Sequence, residues 1–187
     1  MSTIAQLSLE EYDRMIAAGV FDSQRHRRLE LIHGEIREMA PIGFEHEDAV
    51  DLLVEWSFRN CQGTDIRVRV QGSIGLPQRS SAPEPDVAWV RRRSYRHRRP
   101  SGDDVLLVIE VAESSLAFDR GEKAELYAAA GVPDYWIVDV EGQRIEVRRE
   151  PSPDGYRDVQ VYSGEMEIRP LALPEAALRP KLLFDEE

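Results

Sequence analysis

Two apolar runs limit what this chain can fold into. Val105-Leu106-Leu107-Val108-Ile109-Glu110-Val111 shows no polar alternation before its single acid, and Tyr135-Trp136-Ile137-Val138-Asp139 is its shorter counterpart. Continuous apolar runs of this length predict strands covered on both faces. Between them, Asp119 to Ala130 predicts a helix, opened by an acid and stopped by Gly131 and Pro133. Strand, helix, strand is the pattern of a sheet with helices packed on it, so the core is α/β. The 187 residues suffice for one such domain, since ~150 residues already bury roughly 68–70% of their unfolded surface.

The remaining elements extend that core. Ser8-Leu9-Glu10-Glu11 is a capping-box pattern, followed by Leu9, Tyr12, Met15 and Ile16 on one helical face and by Gly19 as a stop. Arg28 to Met39 predicts a hairpin turning at His33-Gly34. Phe44 to Cys61 predicts a helix whose apolar face carries Ala49, Leu52, Leu53, Trp56 and Phe58. Asp65 to Leu76 predicts a strand with bends at Gly72 and Gly75, and Pro85 to Val90 predicts a shorter one. Ile145–Arg149 and Tyr156–Tyr162 predict a hairpin across a Pro151–Gly155 turn. The expectation is a single domain over residues 1–187, with a core at about 44–139. Residues 163–187 form a peripheral tail docking through Leu171, Leu173, Leu182 and Phe184.

Several classes are excluded. Cys61 is the sole cysteine, so neither an intramolecular disulfide nor a cysteine-based zinc cluster can form. The N-terminus lacks a secretory pattern and no apolar run approaches a membrane span, so the expectation is a cytoplasmic protein. The net charge of -11 argues against binding nucleic acid by overall basicity. Charge is nevertheless local. Arg91, Arg92, Arg93, Arg96, Arg98 and Arg99 give +6 without an acid among residues 91–99, leaving -17 on the rest. That stretch is either a solvated loop paired with carboxylates or a loop holding phosphates, with Tyr95 available for stacking, and because it directly follows the strand that Asp86 opens its base is expected near that acid. Arg25, Arg27 and Arg28 form a smaller basic group.

Glu110 is the strongest local oddity. A carboxylate in a buried strand is costly unless paired, protonated or bound to a metal, the plain alternative being an acid at a strand end that reaches water or an arginine. Asp86, opening its strand after Pro85, joins Glu110 at one sheet edge if the two strands are neighbours. Paired carboxylates, with water and a phosphate, suit Mg²⁺ or Mn²⁺. Lys123 lies one i,i+4 step after Asp119 and one before Tyr127. A surface ion pair is the plain reading, yet only Lys123 and Lys181 are lysines among 24 cationic residues. A compact ammonium suits orienting a water or neutralising a phosphorane-like charge.

Pro85-Asp86, Ile109-Glu110-Val111, Asp119-Arg120-Gly121-Glu122-Lys123-Ala124-Glu125-Leu126-Tyr127 and Ala130 to Asp139 closely resemble the Uma-two family of the PD-(D/E)XK nuclease superfamily. Glu30-Leu31-Ile32-His33-Gly34-Glu35-Ile36, Pro41 and His46 resemble it too, so the likeness spans about residues 7–165. It implies a restriction-endonuclease-like α-β-β-β-α-β core with a central mixed sheet flanked by helices, an N-terminal helix plus hairpin, and a C-terminal hairpin. It implies metal-dependent hydrolysis of DNA, with Asp86 and Glu110 as the motif acids, and it allows a homodimer that cuts both strands. Ala112 stands where the superfamily has its lysine, and Lys123 takes that part if its helix packs over the strand end. His46 and then Glu30 are lesser candidates for ligand or positioning roles. Two other functions need much the same residues: an inactive nuclease-fold module binding nucleic acid or protein, and a hydrolase of small phosphate esters.

Overall fold

The computed structural model describes residues 4–24 and 27–185. Arg25 of the expected basic group lies outside them, as do the last two residues of the expected tail. Helix α1 (Leu9–Ala17) starts at the expected capping box, with the Ser8 hydroxyl and the Glu11 carboxylate each accepting from the other's backbone N–H. It leads to a hairpin of β1 (Leu29–Ile32) and β2 (Glu35–Glu38). His33 and Gly34 both take positive φ, 51° and 80°, the conformation of the two-residue turn that matches strand twist. Helix α2 (Phe44–Cys61) follows.

Six strands then make one sheet in chain order: β3 (Ile66–Val70), β4 (Val87–Arg91), β5 (Val105–Ala112), β6 (Asp134–Asp139), β7 (Arg144–Ser152) and β8 (Gly155–Ser163). All neighbours are antiparallel except β5 and β6, which run parallel. A parallel pair needs a crossover, and the helical stretch α3 (Leu116–Phe118), a π turn (Asp119–Lys123) and α4 (Ala124–Ala129) supplies it. The sheet is thus mixed and covered on both faces, as the apolar runs predicted.

Alternation along the strands sorts the core. Trp89, Leu107, Ile109, Trp136 and Val138 face α2 and its Ala49, Leu53 and Trp56. Ala88, Val90, Val108, Tyr135 and Ile137 face α4 and its Leu126 and Tyr127. Trp56 lies 5.1 Å from Trp89 and 5.8 Å from Trp136, ring centre to ring centre. Short α5 (Lys181–Phe184) and the segment before it cover the α2 side, with Ile168, Leu178 and Leu183 buried and the Trp56 indole N–H donating to Ala177 O. Among the described residues no helix is long and apolar enough to cross a membrane.

Four expectations are corrected. The strand expected over Asp65–Leu76 ends at Val70, because Gln71 turns to positive φ. The helix expected over Asp119–Ala130 begins earlier, at Leu116, and widens into a π turn. The C-terminal hairpin is longer than expected, and Pro151 sits inside β7 rather than in the turn. It is tolerated there because the β6 pairing ends at Arg149, leaving only β8 alongside. Leu171 and Leu182 of the tail point outward, as do Leu52 and Phe58 of α2, where amphipathic spacing alone drew the apolar face too wide.

Gly102 locks the crossover to the start of β5. A Cβ there would stand 2.2 Å from Ala130 O, a backbone atom that cannot swing aside. Gly102→Ala is expected to destabilise the fold by about 1–3 kcal/mol, read from the midpoint of denaturant unfolding.

Candidate functional site

The site grows out of strand register. Val87 of β4 pairs with Ile109 of β5, so Asp86, just before β4, lies opposite Glu110. Residues opposite one another share a face, and this one carries Ala88, Val108, α4 and the π turn. Lys123 closes that turn and projects onto β5. Its Nζ is 3.0 Å from Glu110 Oε1, and the Tyr127 hydroxyl donates to the same oxygen at 2.8 Å. The helix therefore packs over the strand end, the condition under which Lys123 can stand in for the lysine missing at Ala112. π turns recur at functional sites, and this one holds Asp119 and Lys123 together, both buried.

Two further elements close the site. The α2 N-terminus is tied down by Gly43 N–H donating to Glu113 Oε2 at 3.0 Å, which brings His46 Nε2 to 3.4 Å from Asp86 Oδ1. The β1–β2 hairpin is stapled to the strand-entry loop by Ala82 N–H donating to Leu31 O at 2.7 Å. Glu30 on β1 accepts from Glu84 N–H at 3.3 Å and lies 3.8 Å from Lys123 Nζ. Glu30, His46, Asp86, Glu110 and Lys123 thus line one cavity of about 240 Å³.

Three residues escaped the sequence reading. Asp119, 3.8 Å from Lys123, looked like half of a surface pair but is buried. Tyr127 completes the Asp119-Lys123-Tyr127 ladder, and its i,i+4 spacing was the available signal. Arg28, whose Nη2 is 3.7 Å from Asp86 Oδ1, had no sequence signal linking it to the acids.

The arginine loop is displaced from its expected place. It follows the far end of β4, and five residues of strand put it roughly 16 Å from Asp86. Its side chains are largely engaged. Arg91 donates to Asp103 O and Arg92 to the carbonyls of Thr64 and Ile66. Arg93 and Arg98 pair with Asp104, and Arg99 with Asp13. Arg96 is exposed. The guanidinium carbons of Arg67, Arg69 and Arg98 lie 5.4–6.0 Å from the Tyr95 ring centre, so the ring already carries cation–π partners rather than standing open for stacking.

Electrostatics at the cavity are set by crowding. Burial pushes Glu110 up to about 8 despite Lys123, with Asp119, Asp86 and Glu30 adding repulsion. Burial also raises Asp119. It opposes Lys123's charge, but Glu110, Glu30 and Asp119 outweigh it and hold the ammonium above its ordinary value. Asp86 goes the other way. Burial is overcome by His46, the Val111 N–H at 2.9 Å and Lys123, so its carboxyl stays below the usual range. Four buried carboxylates face one buried ammonium and the partly exposed Arg28. Among the described residues no group of three His, Cys, Asp or Glu forms a closed metal cage. The donor set, two carboxylates on adjacent strands amid excess negative charge, fits a hard divalent cation that completes its shell with water.

A family model described as "Putative restriction endonuclease" matches residues 9–181. Among solved structures, a "putative nuclease belonging to DUF820" from Anabaena variabilis matches 95% of this chain and 97% of its own length, with a TM-score of 0.73 and 14% identity. Identity that low establishes a shared fold. No curated protein matches the chain.

In the protein without metal, Glu110 gives the fold a pH dependence. Its folded value lies above the unfolded one of ~4.3, so the stability of its neutral form is complete below that pH. That stability is lost as pH rises through about 8. Thermal melts should show wild type falling relative to Glu110→Gln across this range, and parallel curves would contradict the assignment.

Proposed function

The chain belongs to the Uma2 family, and we propose that it is a divalent-metal-dependent endonuclease hydrolysing phosphodiester bonds in DNA. Restriction-endonuclease-like families generally work with divalent metals. The observation that carries the reading is the 3.0 Å contact of Lys123 with Glu110, beside Asp86 on the neighbouring strand. It restores two acids and an ammonium at one sheet edge although position 112 is alanine.

Asp86 and Glu110 would hold Mg²⁺ or Mn²⁺. The bound ion would supply a water of lowered pKa and polarise the phosphate. The remaining work falls to the chain's own residues. Lys123 and Tyr127 both donate to Oε1 of Glu110 and fix the carboxylate's orientation, which leaves Oε2 as the oxygen that would be available to a cation. Lys123 stays protonated among three carboxylates and sets a fixed positive charge beside the reacting phosphorus. His46 orients Asp86 through Oδ1 while Val111 N–H holds Oδ2, which makes His46 a positioning residue. Glu30 anchors the far side of the ammonium and couples the hairpin to the site. The arginine loop, roughly 16 Å away along β4, is assigned flanking DNA backbone rather than the scissile phosphate.

Purified protein incubated with supercoiled DNA and Mn²⁺ should nick and linearise it. Asp86→Ala and Lys123→Ala should each lower the rate by about a hundredfold or more. Cleavage persisting in both variants would remove the assignment. Binding without turnover in wild type would favour the inactive nuclease-fold module. The loop has its own signature. Arg93→Ala with Arg96→Ala should lower the slope of log affinity against log salt by about 1.8, ~0.9 for each lost phosphate contact, and leave turnover at saturating DNA unchanged.

A further inference from the structure

Arg28 is the unexplained group at the mouth of the cavity. Its residue is held in place by Met39 N–H donating to Arg28 O at the base of the β1–β2 hairpin. Its side chain is 26% exposed, but both terminal nitrogens are shielded from solvent. Among the described residues neither Nη1 nor Nη2 has a hydrogen-bond partner. Arg69 and Arg148 each leave only Nε without a partner, so Arg28 alone among the described arginines has its terminal fork buried and unsatisfied. Arg120, Arg144 and Arg149 each place Nε within 2.9 Å of a carboxylate oxygen. Arg28 Nη2 comes only to 3.7 Å from Asp86 Oδ1, too far for a hydrogen bond. A buried, unsatisfied N–H costs free energy, and a guanidinium carries it only where some other group takes up the bond.

The position identifies that group. Arg28 lines the same cavity as Glu30, His46, Asp86, Glu110 and Lys123. Asp86 and Glu110 stand side by side, with Lys123 beyond Glu110 and Arg28 beyond Asp86. Each of these two cations therefore stands beside a different member of the carboxylate pair. A metal held by those carboxylates would repel Arg28, so no cation meets its free N–H groups. The phosphate that such an ion would bring to the acid pair does. The planar fork of Nη1 and Nη2 suits two oxygens of one phosphate, whereas the Lys123 ammonium is a point charge. We propose that Arg28 is a substrate-contacting residue whose Nη1 and Nη2 take the non-bridging oxygens of the phosphodiester that a divalent ion would hold at Asp86 and Glu110. This rests on the nuclease reading for its substrate, although the phosphate contact itself can be measured without cleavage.

Two measurements on Arg28→Ala and Arg28→Lys test it. Inorganic phosphate is titrated into each protein with Mn²⁺ present and followed calorimetrically, and cleavage of supercoiled DNA is timed in parallel. Arg28→Ala should weaken phosphate binding and lower kcat/KM by about tenfold to a hundredfold. Arg28→Lys keeps the charge and most of the stem without the fork, so it should fold like wild type and recover only part of both losses. Mn²⁺ affinity, read from thermal stabilisation, should hold or rise in Arg28→Ala, because a positive charge has left Asp86's side. A purely structural Arg28 would instead lose Mn²⁺ affinity together with the fold. Phosphate binding and cleavage equal to wild type in a folded Arg28 variant overturn the proposal and leave the nuclease reading intact. Loss of phosphate binding in Arg28→Ala, with no cleavage by wild type, upholds the contact and overturns the nuclease reading.

Discussion

Glu110 lies on β5, an interior strand of a sheet covered by helices on both faces, and is completely buried. A carboxylate in that position is costly for folding unless its oxygens are satisfied. Lys123 and Tyr127 reach it from one turn of the crossover, and Lys123 in turn needs Glu30 and Asp119 around it. Removing Lys123 leaves buried carboxylates without compensation, which is far costlier than never having built the network. The β5–β6 crossover, the register of β4 against β5 and the docking of the N-terminal hairpin are all tied to this one acid.

The same acid explains why the hairpin belongs to the site rather than to the periphery. Glu30 of β1 reaches Lys123 because Ala82 and Ser80 pin the hairpin backbone to the loop entering β4. Arg37 on β2 adds a second tie, donating to Glu122 in the π turn at 2.6 Å. Two short strands that could not be stable alone thus gain their order from the layer of buried charged residues beneath them.

The central strands were legible because burial on both faces writes itself as an unbroken apolar run, and the helix between them because its stops are glycine and proline. Glu110 stood out as an acid inside a buried run, and its meeting with Asp86 followed from the expected adjacency of their strands. Arg28 was not, because its approach to Asp86 depends on how a hairpin folds back over a distant strand, and no local period encodes that. The arginine loop failed for the opposite reason. Chain proximity to Asp86 suggested spatial proximity, but an antiparallel strand carries its two ends to opposite edges of the sheet. The π turn was also invisible, since 3.6-residue periodicity predicts the helix and not the one-residue widening over Asp119–Lys123.

The scarcity of lysine follows from this division of labour. Most cations here are arginines at the surface, where a broad fork meets carboxylates and carbonyls in water-facing pairs, as Arg169 does with Glu167 and Pro174 O. The slot beneath β5 is different. It is enclosed by Glu30, Asp119 and Glu110 and admits a compact head with donors in several directions. An ammonium meets three carboxylates at once, whereas a planar guanidinium aims its donors in one plane and would leave at least one acid unpaired. At the cavity mouth the preference reverses, and planarity is what Arg28 contributes. Replacing Lys123 by arginine keeps the charge but not the geometry, and geometry is what lets a buried glutamate persist in this strand.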